Sequence, residues 1–203
     1  MDIDFLLLLQ NFRASIQDGL NPLMETISFF AAYYLLIIPA FVYWCIDKQT
    51  GIYTFAAYNA GNVLNSFVKL TVCEPHQWIR DTRIMPAGDS IRTATGYSFP
   101  SGHAVMAGTL YGGMAVSAWK KMRWISVICI AMILLTGFSR NYLGVHAPQD
   151  VLAGLGESVL LLWGMSKVMK YTAKHPDRIN RMLVAGIVIG LALLVYFSVN
   201  HIR

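Results

Sequence analysis

Apolar positions in this chain come in long runs separated by short polar stretches, rather than in the one-faced patterns of a soluble domain. Runs over residues 27–46, 52–72, 104–119, 124–138, 151–168 and 183–199 approach the length a helix needs to cross a hydrocarbon core. Six transmembrane helices are predicted. Ahead of them, residues 2–18 place Phe5, Leu8, Leu9, Phe12 and Ile16 at helical spacing, with Gln10, Arg13 and Gln17 elsewhere around the helix. That segment reads as an amphipathic helix lying in the membrane interface over residues 1–20. The expectation is an all-α membrane protein built as a single domain over residues 1–203. Asn59, Asn62 and Asn65 dot the second run at three-residue intervals and read as polar glue between helices. Residues 74–99, with Pro75, Pro86, Gly88 and Gly96, form the one long polar loop, and long loops in compact domains carry function.

Composition agrees with the pattern. A hydrophobic content of 56% and a mean hydropathy of +0.50 are too apolar for an ordinary soluble domain of 203 residues. The net charge of +5 does not indicate a nucleic-acid partner, because Lys and Arg fall in short loops instead of along one face. Those loops carry topology. Lys48, the Lys120–Arg123 cluster, and Lys170, Lys174, Arg178 and Arg181 share one side if six spans alternate, and positive charge marks that side as cytoplasmic. Trp44, Trp119, Trp124 and Trp163 then sit toward the inner span ends, as interfacial aromatics do. The acidic start (Asp2, Asp4) and short apolar run 5–9 predict no cleavable signal peptide. Three cysteines, two of them in apolar runs, make no disulfide framework.

Few polar groups remain at the mouths of the spans, and such groups are costly unless they serve a site. Pro100-Ser101-Gly102 reads as a turn entering the helix that begins near His103, whose free N–H groups suit an anion. His146 and Asp150 lie four residues apart around Pro148, so they are expected to open a helix and share one face. Asp150 can hold one imidazole N–H of His146 and leave the other nitrogen free to attack. Arg140 adds a planar, permanently charged fork suited to phosphate oxygens. Lys69, His103, Arg140 and His146 all fall opposite the basic loops, on the extracytoplasmic side. No tight ligand spacing of the His-Glu-x-x-His kind occurs, so no metal and no cofactor are expected.

At these residues the chain resembles the type 2 phosphatidic acid phosphatase family, whose fold is shared with vanadium haloperoxidases and bacterial acid phosphatases. The family's second motif stands as Pro100-Ser101-Gly102-His103, and its third, Ser-Arg-x5-His-x3-Asp, as Ser139, Arg140, His146 and Asp150. Of the first, Lys-x6-Arg-Pro, Lys69 is in place but His76 and Gln77 occupy the Arg-Pro positions. The resemblance implies a phosphatase-type helical bundle acting on lipid phosphates or diphosphates: phosphatidic acid, phosphatidylglycerol phosphate, sphingoid phosphates or undecaprenyl diphosphate. In a bacterial host this places the protein in the cytoplasmic membrane. Lys69, Arg140 and the Ser101 and Gly102 N–H groups are then expected to cradle phosphate, His146 to attack phosphorus, and His103 to act as acid and base. His76 is either a weaker, pH-dependent phosphate donor or a loop residue whose task passes to Arg80 or Arg83. A phosphotransferase, a catalytically impaired lipid-binding or transport homologue, and a vanadate-dependent halide oxidase are the alternative readings.

Overall fold

The computed structural model describes residues 2–30 and 37–201, and among them every regular element is helical. In chain order these are α1 (Asp2–Ser15), α2 (Asn21–Phe29), α3 (Ile37–Cys45), α4 (Lys48–Val72), α5 (Gln77–Arg80), α6 (Ser90–Thr93), α7 (Gly102–Ala118), α8 (Arg123–Tyr142), α9 (Pro148–Lys174) and α10 (Ile179–His201). Among the described residues, three stretches are long and apolar enough to cross a membrane: Arg123–Tyr142, Pro148–Lys174 and Pro176–Val199. The chain is a membrane protein. Of the other expected spans, the first lies partly outside the described residues. The second is long enough in α4, but its three asparagines dilute the apolar run, and the third, in α7, is only 17 residues long.

Close contacts group the chain into two compact units, Met1–Leu162 and Trp163–Arg203. In the first, α7 is the central helix, packed against α4 and α8, while α3 lies on α4, and α1 and α2 lie on α8. Inside lipid no hydrophobic drive pulls helices together, so small residues that let backbones approach matter most. On α7, a Cβ at Gly108 would stand 2.2 Å from Ser158 Oγ, so only glycine admits α9 at this distance. Tyr58, Leu110, Tyr111 and Cys129 form one apolar core between α4, α7 and α8. Met24, Ile27, Ala87, Ala94, Tyr142, Leu143 and Val145 form a second core, which takes in part of the long loop and, through Ala94, borders the cavity described below. The second unit holds the end of α9, a short 3-10 turn at Pro176–Arg178, and α10, whose large apolar side chains are exposed.

Two expectations change. On α1 the buried face is Leu6, Leu9 and Arg13, whereas Phe5, Leu8 and Phe12 are exposed. Arg13 was expected on the polar side, yet its guanidinium donates to the carbonyls of Tyr142 (3.1 Å) and Met85 (2.5 Å) and pairs with Asp18 (3.2 Å). It is a bolt between α1, the end of α8 and the long loop. The helix expected to carry both His146 and Asp150 begins only at Pro148, because proline has no N–H to offer a preceding turn and suits the first helical position. His146 therefore precedes α9.

Candidate active site

The turn between α8 and α9 is built by a glycine. Gly144 adopts φ +74°, the left-handed conformation that ends helices, and its N–H bonds to Asn141 O at 3.0 Å. The next two N–H groups, Val145 and His146, both reach Arg140 O at 3.1 and 3.3 Å. Asn141 Nδ2 then donates to His146 O at 2.8 Å, which holds the histidine backbone against the helix end. Asp150 sits at the third position of α9 and accepts the Ala147 N–H on Oδ2 at 3.0 Å, half of a capping box. Sequence thus sets His146 and Asp150 on either side of one helix start.

His146 lines a cavity of about 360 Å³ together with Asn65 and Lys69 of α4 and Gly102, His103 and Met106 of α7. Three segments distant in sequence meet there. Thr93 closes one wall and also borders a second cavity of about 530 Å³, to which Ser28, Glu25 and Arg92 contribute.

Asp150 is fully buried. Its Oδ2 lies 3.5 Å from His146 Nδ1, longer than a formed hydrogen bond, so the pair is aligned but not closed. The same oxygen accepts from Gln77 Nε2 at 3.1 Å and from Ser98 Oγ at 2.6 Å. Burial pushes His146 below its ordinary value of 6.5, with Arg140 and Lys69 acting in the same direction against the pull of Asp150. The imidazole is therefore neutral at neutral pH, the form in which a ring nitrogen carries a free lone pair.

Arg140, in the last turn of α8, is fully buried. Its Nη1 donates to Ser28 Oγ and, at 3.2 Å, to Thr93 Oγ1, while Nε and Nη2 have no hydrogen-bond partner. Arg140 does not line the cavity, but Thr93, which it holds, does. Lys69 Nζ donates to Tyr97 O at 2.7 Å and Thr95 O at 3.2 Å, which ties the long loop to α4 and leaves one of its three N–H donors. His103 Nε2 and Ser101 Oγ are buried without partners. One expected donor is already engaged: the Ser101 N–H bonds to Asp150 O at 2.9 Å, because Gly154 lets α9 approach the turn so closely that a Cβ there would meet Ser101 O at 2.7 Å. Gly102, the first residue of α7, lines the cavity and brings the N-terminal end of that helix to it.

His76 is not brought into the cavity. Its ring is buried and stacked on Trp78 at 4.2 Å, with Nδ1 3.2 Å from Val145 O and Nε2 3.0 Å from Gly96 O. Burial lowers its pKa from the ordinary value. Arg80 and Arg83 are spent on ion pairs with Glu74 and Asp81. Sequence reasoning named Gln77 only as a departure from the first motif, with no role of its own, and did not single out Ser98 or Thr93. Asn65 was read as interhelical glue, but it borders the cavity and donates weakly, at 3.4 Å, to Pro100 O. Among the described residues no three His, Cys, Asp or Glu side chains gather so as to hold a metal ion.

Known proteins resemble this chain over most of its length. Phosphatidylglycerophosphatase B of Bacillus subtilis is 28% identical over 159 residues, covering 72% of this chain and 74% of the relative. An undecaprenyl-diphosphatase of Sulfolobus acidocaldarius is 30% identical over 140 residues, covering 66% of this chain and 64% of the relative. The undecaprenyl-diphosphatase BcrC of Bacillus subtilis is 28% identical over 153 residues, covering 70% and 72%. Among solved structures, the transmembrane PAP2-type phosphatidylglycerolphosphate phosphatase of Bacillus subtilis superposes with a TM-score of 0.61 at 22% identity, covering 83% of this chain and 94% of that one, which shows a shared fold. The model of the PAP2 superfamily matches residues 50–174, a span that runs from α4 through α9 and includes every residue lining the cavity. With the motif residues, the fold and the family model in agreement, this chain belongs to the PAP2 superfamily.

Proposed function

We propose that the protein is an integral-membrane hydrolase of lipid phosphates or diphosphates, acting through a phosphohistidine at the extracytoplasmic face of a six-span bundle. The observation that carries this reading is the meeting of Lys69, Gly102, His103 and His146 around one cavity, backed by a buried Arg140 with two unpaired donors. Phosphoryl transfer asks little covalent work of a protein beyond an in-line nucleophile and cations on the equatorial oxygens. The named relatives, a phosphatidylglycerophosphatase and two undecaprenyl-diphosphatases, support the substrate class.

In this scheme Lys69 and the Gly102 N–H hold the phosphate at the cavity wall, and Arg140 and Ser101, which stand behind that wall, turn their unpaired groups to it as the substrate seats. The Nε2 lone pair of neutral His146 attacks phosphorus while Asp150 faces Nδ1, and the bond from phosphorus to the leaving oxygen breaks. His103 gives that oxygen its proton. A water then loses a proton to His103, its oxygen bonds to phosphorus, and the phosphorus–nitrogen bond breaks to free inorganic phosphate. The reading needs no metal. If six spans alternate, the basic loops at Lys48 and Lys120–Arg123 fall on the side opposite both motif histidines, and positive charge marking the cytoplasmic side supports an outward-facing site. Met106 and Leu70, on the wall between α4 and α7, offer the lipid chain an apolar approach.

Phosphate release in detergent micelles from phosphatidic acid, phosphatidylglycerol phosphate and undecaprenyl diphosphate tests the proposal. Turnover is expected with chelator present and is expected to vanish in His146→Ala. Turnover retained by His146→Ala, or absent from the unaltered protein on all three lipids, would overturn it.

A further inference from the structure

Residues 76 and 77 are where the family's first motif departs, and neither reaches the cavity. Both instead grip the frame of His146 from behind. Gln77 and Ser98 are buried to 1% and 0% exposure, too deep for polar side chains without a task. Their amide and hydroxyl meet on Asp150: Gln77 Nε2 donates to Oδ2 at 3.1 Å, and Ser98 Oγ stands 2.6 Å from Oδ2 and 2.8 Å from Gln77 Oε1. A hydroxyl has one proton, so Ser98 serves the carboxylate or the amide, and the three groups form one closed ring of contacts. His76 completes the grip, with a ring nitrogen at the carbonyl of Val145, the residue before His146, and its ring centroid 5.5 Å from that of His146.

We infer that Gln77, with Ser98, is a positioning residue that holds the Asp150 carboxylate at His146 Nδ1, a task this chain performs with side chains at a motif position where the family has proline. Proline offers neither an amide donor nor an acceptor beyond its carbonyl. The 3.5 Å separation of His146 and Asp150 gives the clamp a purpose, since a carboxylate held by Gln77, by the Ala147 N–H and by Ser98 when its proton turns that way is kept at the distance from which it closes once the imidazole gains charge. Besides Asp150, the charged and titratable groups facing His146 are Lys69 on α4, His103 on α7, Arg140 on α8 and His76 before α5. Gln77 changes none of these directly.

The inference rests on the proposed phosphohistidine reading, and its test separates the two. Phosphate release by wild type, Gln77→Ala, Gln77→Glu and Ser98→Ala is measured against pH beside His146→Ala. Gln77→Ala is expected to lower kcat about tenfold with KM nearly unchanged. Gln77→Glu, although closer in shape, is expected to be worse, because two carboxylates then face each other, and to recover relative to wild type as the pH falls and the new acid gains a proton to donate. A space-filling role predicts the reverse order, and that order would overturn the inference. The second readout needs no turnover: carbethoxylation of His146 by diethyl pyrocarbonate, followed against pH by peptide mass spectrometry. Its midpoint is expected to rise by about half a unit in Gln77→Ala and Ser98→Ala and further in Gln77→Glu, as a carboxylate freed of donors favours the charged imidazole more strongly. Identical midpoints in all four proteins would overturn the inference even if wild type released no phosphate. Active wild type with inactive His146→Ala and unaltered Gln77 variants would overturn the clamp alone.

Discussion

Replacing Arg140 by lysine separates charge from geometry at the deepest cation of the site. Arginine here is fully buried, and one terminal nitrogen is committed to Ser28 and Thr93. That anchor fixes the plane of the guanidinium, so the two unpaired donors, Nε and Nη2, form one rigid fork edge. Lysine keeps a positive charge but brings a single rotatable ammonium. It can satisfy Ser28 and Thr93 or a phosphate oxygen, and it cannot present the fork. One donor aimed at charge that develops in the transition state is worth about 10²–10³ in kcat. Arg140→Lys is therefore expected to lower kcat by about that factor, with kcat/KM falling in parallel, since an interaction made chiefly in the transition state leaves KM nearly unchanged. The assay is steady-state phosphate release from a short-chain lipid phosphate, with thermal unfolding in the same detergent as control. A lysine variant within tenfold of wild type would show that bulk positive charge is enough and that the fork argument is wrong. A variant that unfolds at assay temperature is distinguished by its melting curve.

Two further outcomes follow from the packing and the ionisation. Arg13→Ala removes charge-assisted hydrogen bonds to Tyr142 O and Met85 O and leaves two carbonyls unpaired, so it is expected to destabilise the fold by about 3 kcal/mol and lower Tm by about 6–12 °C. An unchanged Tm would mean that α1 is not bolted to the end of α8. For pH, burial holds both His146 and His76 below their ordinary value of 6.5, so between that value and their folded values the unfolded chain binds more protons. Their contribution is complete above about pH 6.5 and is lost as the pH falls below it. Thermal unfolding at pH 7.5 and pH 5 is expected to give the lower Tm at pH 5, and a flat profile would contradict the assigned direction.

What could be read from the sequence follows a physical divide. Charged residues in an apolar chain stand out because lipid makes them costly, so Lys69, Arg140 and Asp150 could be singled out before any coordinates. Neutral polar residues carry no such signal. Gln77, Ser98, Thr93 and Asn65 look like ordinary loop or helix positions, and only the fold brings them to the cavity or to Asp150. Arg13 misled for the opposite reason: sorting a helix into wet and dry faces sends every arginine to water, whereas this one finds two backbone carbonyls and Asp18. The Ser101 N–H was expected to face an anion, but the glycine at 154 that admits α9 could not be tied to that turn from spacing alone. The six apolar runs were visible as runs, while the exact span count depends on how α4 tolerates its asparagines and on residues 31–36, outside the described set.

Arg140 O receives the N–H groups of both Val145 and His146, so guanidinium and imidazole hang from the same short piece of backbone. When α8 tilts to match a thicker or thinner bilayer, the two are carried along together, and their separation is insulated from the strain. The fragile coordinate under such a tilt lies elsewhere, between this rigid corner and Lys69 on α4. Membranes of differing thickness should therefore alter how well the lipid phosphate is gripped before they alter the reactivity of the imidazole.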